Sequence, residues 1–316
     1  MNLNLLARDG IFSTSEAARH GLDQHALRRL AAQQSCVRLT RGWFAVVGDT
    51  APSREQLHAL TARALGRQFS HRAAVSHYSR LILAELPTFR PDLDVVHLTS
   101  VVDMVRLEPD GTLSPRSPSV RRRGVVIHRP IGLRIPREDT PRPLTSWCLP
   151  VAYSVVQAGL LGGPEAFLVP ADAATRNGLV AAEQLGEAVD RLAGHTGIGP
   201  VRASLALVDG RRESPGESRT AYLLAGLGYD LEPQFEVAAG GHRFRADFRI
   251  KRTKVLVEFD GAVKYADGDR RTLFDEKRRE DALRRAGWVV VRVVWADLSR
   301  PDVVRRRIAD AVALAA

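Results

Sequence analysis

The chain has 316 residues, 45% of them hydrophobic and 26% charged; this is globular composition and excludes a disordered, fibrous or collagen-like protein. The 46 Lys and Arg exceed the 36 Asp and Glu, a net charge of +10; nearly all the cations are arginine, which forks onto phosphate, so an anionic polymer is the expected partner, although GC-rich coding alone also enriches arginine. No apolar run reaches the roughly 18 residues of a helical membrane span, MNLNLLARDG has no signal-peptide pattern, and two cysteines, Cys36 and Cys148, are too few for a disulfide framework or a Cys-rich zinc site. The expected setting is therefore reduced and cytoplasmic, with no membrane partner.

Length suggests two or three domains, and three blocks are predicted, with an α+β organisation overall. The first covers residues 1–50. Ser13-Thr14-Ser15-Glu16 is a capping-box sequence. It opens a short helix, Ser15 to His20, that Gly21 ends. Asp23 caps a second helix, Gln24 to Ala32, with Ala26, Leu27 and Leu30 at helical spacing. Val37 to Val46 alternates around Gly42 and reads as a hairpin. Helix, turn, helix and hairpin is the order of a winged helix-turn-helix, in which the second helix enters the major groove and the hairpin touches the backbone. Gln24, His25, Arg28 and Arg29 fall on the outer side of that helix, and Arg38 and Arg41 flank the hairpin; these six are the candidate DNA contacts. The competing reading is a small helical cap with solvated arginines.

The second block, 51–210, reads as a mixed α/β linking domain. Helices are predicted at Arg54–Arg67 and His71–Leu83, strands at Val95–Thr99 and Gly124–His128, and helices near Val151–Leu160, Pro164–Arg176 and Ala181–Leu192. A loop with Pro109, Gly111, Pro115 and Pro118 precedes Arg121-Arg122-Arg123, a run that reads as a solvated edge. His71 and His77 lack ligand spacing with acidic partners and read as ordinary packed or surface histidines.

The third block, 211–316, has the predicted order α-β-β-β-α-β-α: a helix from Pro215 to Ala225, strands Gln234–Val237, Arg243–Ile250 and Lys254–Asp260, a helix Thr272–Ala286, an apolar strand Trp288–Trp295 read as buried on both faces, and a helix Pro301–Leu314. Period two puts Glu258 and Asp260 on one face of their strand and Val255, Val257 and Phe259 on the other. Asp247 sits on the polar face of the preceding strand, and a hairpin can gather all three carboxylates. Unpaired carboxylates at close range push one another towards protonation, and a divalent cation removes that penalty. Oxygen donors suit Mg²⁺ or Mn²⁺. Glu217, in the first turn of the preceding helix, is a fourth donor. Lys264 is the candidate for holding the scissile phosphate or polarising the water, with Lys254 and Lys277 as lesser alternatives. The competing reading pairs Glu258 and Asp260 with Arg243, Arg245, Arg249 and Arg292.

Glu217-Ser218, Gln234, Asp247-Phe248, Val257-Glu258-Phe259-Asp260-Gly261, Glu280 to Gly287 and Val291-Arg292 together resemble the small endonuclease-like domains related to very-short-patch repair (Vsr) nucleases, within the PD-(D/E)xK restriction-endonuclease-like superfamily. The resemblance covers about residues 214–300. It implies metal ligands at Asp247 and Glu258, with Glu217 as the first-helix acid. Asp260 stands where the superfamily has the lysine of ExK, and Lys264 stands near a position where the Vsr-like branch usually has histidine. Gly10 to Ala18 and Val37 to Phe44 resemble the winged-helix domain of AbiEi-type antitoxins, and Ala74-Val75-Ser76-His77 and Val169 to Gly178 resemble the linking region of actinobacterial proteins with this arrangement. That family implies repression of its own operon and neutralisation of a partner nucleotidyltransferase toxin.

The expected function is DNA binding with divalent-metal-dependent phosphodiester hydrolysis, in a defence or toxin–antitoxin context. The alternative is a non-enzymatic antitoxin-like autorepressor whose nuclease fold only binds. A weaker third reading is a repair-type nuclease acting on mismatched or nicked DNA.

Overall fold

The computed structural model describes residues 3–48, 50–70, 72–101, 105–107, 113–115, 120–132, 147–261 and 270–315. It is a mixed α/β chain that divides into two compact units, Met1–Leu161 with Glu187–Ile198, and Gly162–Gly186 with Gly199–Ala316. Residues 51–210, expected as one block, are thus apportioned between the two. No helix of the described residues is long and apolar enough to cross a membrane.

The first unit opens with β1 (Ile11–Ser13), α1 (Thr14–Arg19), α2 (Gln24–Ala32), β2 (Cys36–Thr40) and β3 (Trp43–Val46). Helix α1 starts one residue before the expected Ser15 because Ser13 is the N-cap: its Oγ accepts from the Glu16 N–H at 3.2 Å, and the Glu16 carboxylate accepts from the Ser13 N–H at 2.7 Å. Asp23 caps α2 as expected, accepting from the Ala26 N–H at 2.7 Å. Strand β1 is too short for alternation to mark it in the sequence; it pairs antiparallel with β3, giving the order β1-β3-β2. Phe12, Phe44 and Cys36 pack against Ala17 of α1 and Leu27 of α2. Ile11, Trp43 and Ala45 form the other cluster with Leu60 and Ala64 of α3 (Arg54–Gln68), and Glu16 pairs with Arg67 of that helix.

The helix expected over His71–Leu83 is, among the described residues, a strand β4 (Ala73–Val75) followed by α4 (His77–Leu83). Three apolar residues carry no period, and the pairing of β4 with β5 (Val96–Ser100) decides their state. Then come β6 (Val105–Leu107) and β7 (Leu113–Pro115), a two-stranded ladder within the expected loop, β8 (Val120–Arg122) and β9 (Val125–His128), and α5 (Val151–Gly162). The sheet order is β4-β5-β9-β8, with β5 and β9 parallel. Val75, Val96, Leu98 and Val125 join Ala62 and Leu65 of α3 in one core.

Next in the chain are α6 (Pro164–Arg176), α7 (Ala182–Arg191), which the division between units crosses, and α8 (Ile198–Ser204). The second unit continues with α9 (Pro215–Gly226), β10 (Leu231–Ala239), β11 (His242–Ile250), β12 (Val255–Asp260), α10 (Arg270–Arg285), β13 (Val289–Val294) and α11 (Pro301–Leu314). This is the expected α-β-β-β-α-β-α order. The sheet runs β10-β11-β12-β13, antiparallel except for the parallel β12–β13 pair. On one face, Val255, Val257, Phe248 and Ile250 pack with Leu224 of α9 and Val304 and Ile308 of α11. On the other, Leu256 and Ala246 pack with Leu283 of α10. The strand buried on both faces is β12. Strand β13, expected to be that strand, is at the end of the sheet order, with buried Val291 and Val293 alternating with half-buried residues and an exposed Trp295 just after it.

Gly216 sets how closely α9 approaches β12. A Cβ there would lie 2.0 Å from the Phe259 ring, so only glycine fits. Gly216→Ala is expected to destabilise the protein by about 1–3 kcal/mol through overpacking, read as a lower denaturant midpoint with an unchanged slope.

Candidate functional site

Three carboxylates are disposed around the end of β12, where it leaves the core. Ser214 caps α9 by accepting from the Glu217 N–H at 3.1 Å, which places Glu217 in the first turn. Its Oε2 accepts from the Glu213 N–H and from Gln234 Nε2, both at 2.9 Å. Asp247 lies on β11 where the ladder to β12 ends: Phe248 pairs with Val257, and no pair precedes it. Asp247 Oδ2 instead accepts from the Phe259 N–H at 2.7 Å. Glu258, one residue before Phe259, shares the face of Leu256 and pairs with Arg279 of α10.

Electrostatics links the three. Burial pushes the pKa of Glu217 up, and the charge of Asp247 adds to it. Burial likewise raises Asp247, against the pull of the Phe259 N–H and helped by Glu258. Glu258 is raised by burial although Arg279 and Arg292 oppose it. Asp247 is therefore the common neighbour of the other two. The oxygens are spread, however: among the described residues the ligand-type atoms gathered within 4.8 Å of one another belong to three histidines, not to this group. Mg²⁺ commonly binds through one or two carboxylates and keeps several waters, so an all-oxygen set of this kind fits it without a closed cage.

Gln234 and Arg279 are contributors to which the residue pattern assigns no role. Gln234 interrupts the β10–β11 register opposite Asp247 with φ of +53°, a left-handed conformation rare for a residue with a side chain. Its Oε1 is buried with no hydrogen-bond partner, while its Nε2 is held by Glu217. Arg279 lies on α10, and nothing in sequence spacing links a helix face to the end of a strand. Of the arginines expected to neutralise Glu258 and Asp260, Arg245 pairs with Glu213, Arg243 with Glu236 and Arg249 with Glu232; Arg292 pairs with Glu276 and Glu280 and also pulls on Glu258, its neighbour in the β12–β13 register. Asp260 is half-buried at the end of β12, opposite Val294. Lys264 lies outside the described residues.

Gln24, His25, Arg28 and Arg29 are exposed on α2, and Arg38 and Arg41 are exposed at the β2–β3 hairpin. Among the described residues Arg28, Arg38 and Arg41 form no ion pair. Leu27, between them, is the buried anchor of α2. His71 is outside the described residues. His77 is not an isolated histidine: it gathers with His97 and His128, which spacing along the chain does not suggest.

The raised carboxylate values have a sign. A group whose folded pKa lies above its unfolded one binds more protons in the native state, so stability falls as pH rises between the two values. Asp247→Asn keeps an acceptor for the Phe259 N–H and removes one charge. The metal-free variant is expected to melt a few degrees above wild type near pH 7 and level with it below about pH 4, where the carboxylates of both are protonated; thermal melts across pH check this.

No protein-family model matches the chain. The crystal structure of RV2827C protein from Mycobacterium tuberculosis covers 76% of this chain and 87% of its own, at 17% identity and a TM-score of 0.36, a likeness too slight to bear on the fold. Uncharacterized protein MT2308 (Mycobacterium tuberculosis, strain CDC 1551 / Oshkosh) and uncharacterized protein Rv2248 (strain ATCC 25618 / H37Rv) are each 30% identical over 235 residues, 72% of this chain and 84% of theirs. The chain belongs to the family of these mycobacterial proteins.

Proposed function

We propose that this protein binds DNA through its N-terminal α1–α2–hairpin segment and hydrolyses phosphodiesters at Glu217, Asp247 and Glu258 with a divalent cation. The observation that carries the hydrolytic reading is the placing of Glu217, bonded to Gln234 opposite Asp247, and of Asp247, bonded to the Phe259 N–H next to Glu258, within an α-β-β-β-α-β order like that of restriction-endonuclease-like cores. Asp247 and Glu258 would hold Mg²⁺ or Mn²⁺, with Glu217 and Gln234 completing or orienting the set. Such an ion supplies an activated water and neutralises charge on the phosphodiester. Asp247 is held in place by the Phe259 N–H, and Glu217 by two N–H donors, so neither needs to reorganise when substrate arrives. Lys264 stays the candidate for contacting the scissile phosphate.

The β1–α1–α2–β2–β3 order supports a winged helix-turn-helix reading, with α2 as the groove helix. Gln24, His25, Arg28 and Arg29 would face base edges and Arg38 and Arg41 the backbone. One observation favours a second reading. Arg279 already neutralises Glu258, as it would in a fold kept only for binding; the protein would then be an antitoxin-like autorepressor, with a nucleotidyltransferase toxin as its partner.

Supercoiled and linear DNA incubated with protein and Mg²⁺ or Mn²⁺ is expected to be cut. Asp247→Ala and Glu258→Ala should each lower cleavage on the order of a hundredfold or more while leaving gel-shift affinity intact. Wild-type protein that cuts no DNA form with either ion rules the nuclease out and leaves the repressor. For binding, Arg38→Ala with Arg41→Ala should weaken affinity and reduce the salt slope by about 2, roughly one for each phosphate left without its arginine; an unchanged slope would remove the hairpin from the interface.

A further inference from the structure

The sheet β4-β5-β9-β8 buries a polar face as well as an apolar one. Val96 and Leu98 enter the core with α3; His97 and Thr99, by period two, face the other way, yet both are buried. His128 lies opposite Thr99 in the parallel register. Helix α5 covers this face: Gln157, 2% exposed, donates from Nε2 to Thr99 Oγ1 at 3.0 Å. Gln157 Oε1 and, one helical turn before it, Ser154 Oγ are buried with no hydrogen-bond partner. Buried polar atoms are normally satisfied, so this face of the sheet, which also carries His97, has unmet hydrogen-bonding capacity.

His77 enters from the start of α4 with φ of +50°, again the rare left-handed conformation. This brings its ring to 3.8 Å from that of His128 and 5.4 Å from that of His97, centroid to centroid. Ser76 Oγ meets His77 Nδ1 at 2.9 Å, which leaves Nε2 as the nitrogen to bind an ion. His97 Nδ1 and His128 Nε2 share a hydrogen bond at 2.9 Å. Behind them, Ser79 Oγ accepts from the His97 N–H and contacts His58 Nε2, both at 2.9 Å. One ligand atom from each of His77, His97 and His128 lies within 4.8 Å of the others.

We propose that His77, His97 and His128 form a binding site for a zinc-class dication, tying α4 to β5 and β9 and leaving one position of a tetrahedral ion for water or an anion. Three imidazoles with an open fourth position is a common zinc arrangement, and nitrogen donors select Zn²⁺, Co²⁺, Ni²⁺ or Cu²⁺ over Mg²⁺, which separates this site from the carboxylates. Burial holds His97 and His128 down at about 4 and His77 well below its ordinary value, so all three are neutral at physiological pH with lone pairs to offer. The ion would take the place of the hydrogen bond between His97 Nδ1 and His128 Nε2; the donor ring stays neutral by carrying its one proton on its other nitrogen. Zn–N bonds of about 2.0–2.1 Å require those nitrogens to part by a few tenths of an ångström and the stacked rings to turn so that their in-plane lone pairs converge on the ion. Ser76 on His77 is the kind of outer contact that fixes a ligand's tautomer.

The test uses untagged, full-length protein freed of metal by chelation. Calorimetry with Zn²⁺ is expected to give about one ion per chain that a large excess of Mg²⁺ does not displace, and Co²⁺ should produce the intense visible bands of a four-coordinate site. Asp247→Asn should leave both signals unchanged. His97→Gln with His128→Gln should weaken Zn²⁺ binding by at least about a hundredfold, since losing even an outer-shell partner costs tenfold or more. No Zn²⁺ binding by wild type, or equal binding by the double variant, overturns the proposal. Should the variant fail to fold by circular dichroism, the wild-type Co²⁺ spectrum decides: a weak six-coordinate spectrum overturns it and a four-coordinate one supports it.

Discussion

Strand β12 carries Val255, Leu256 and Val257 through a core with helices on both sides and no room for water, and then delivers Glu258, Phe259 and Asp260 at its end. Everything at the carboxylate site depends on that change of character within one strand. The apolar half fixes the strand between β11 and β13 and against three helices. Because the ladder to β11 ends at Phe248, the Phe259 N–H loses a strand partner, and the carboxylate of Asp247 takes it. Because the Phe259 ring lies against Gly216, the first turn of α9 comes close enough for Glu217 to join. Three acids are thus held by the packing of one aromatic residue and one glycine. Their raised pKa values are the electrostatic consequence of being held in a half-buried place.

The arginine surplus is distributed unequally. In the second unit, arginines 211, 212, 219, 243, 245, 249, 279, 284, 292, 305 and 307 all have carboxylate partners. The exposed ones among these, such as Arg243–Glu236 and Arg305–Asp302, contribute little to stability, whereas Arg212–Asp172 is buried. The pairs also leave the unit with less uncompensated charge to offer a polyanion than its composition suggests. Around α2 and the β2–β3 hairpin, by contrast, exposed arginines stand without ion-pair partners among the described residues. Net charge is a statement about a whole chain, whereas phosphate binding needs local excess.

The histidine face of the first unit is a different case. Its three rings come from a helix start, a central strand and a strand end, 20 and 31 residues apart in sequence, and none has a metal-ligand motif around it. The sheet pairs β5 with β9, which brings His97 beside His128, and the left-handed backbone at His77 turns the third ring towards them.

Local chemistry determined much of this protein in the sequence itself. The caps at Ser13 and Asp23, the bounds of α2, α6 and α11, the α-β-β-β-α-β-α order and the face of Glu258 are set by hydrogen bonds and periods that span only a few residues. Glu217, Asp247 and Glu258 were legible as candidates for the same reason, one as an acid in the first turn of a helix and two as acids placed by strand alternation. Tertiary structure decided what depends on distant partners. It made Ala73–Val75 a strand by pairing it with β5, and it put the two-faced burial on β12 rather than β13 because sheet order is not written in hydrophobicity. It supplied Arg279 to Glu258 from a helix face and Gln234 to Glu217 across an interrupted ladder. It also buried the polar side of β5, which alternation alone would give to solvent, because the covering helix α5 begins more than 50 residues further along the chain.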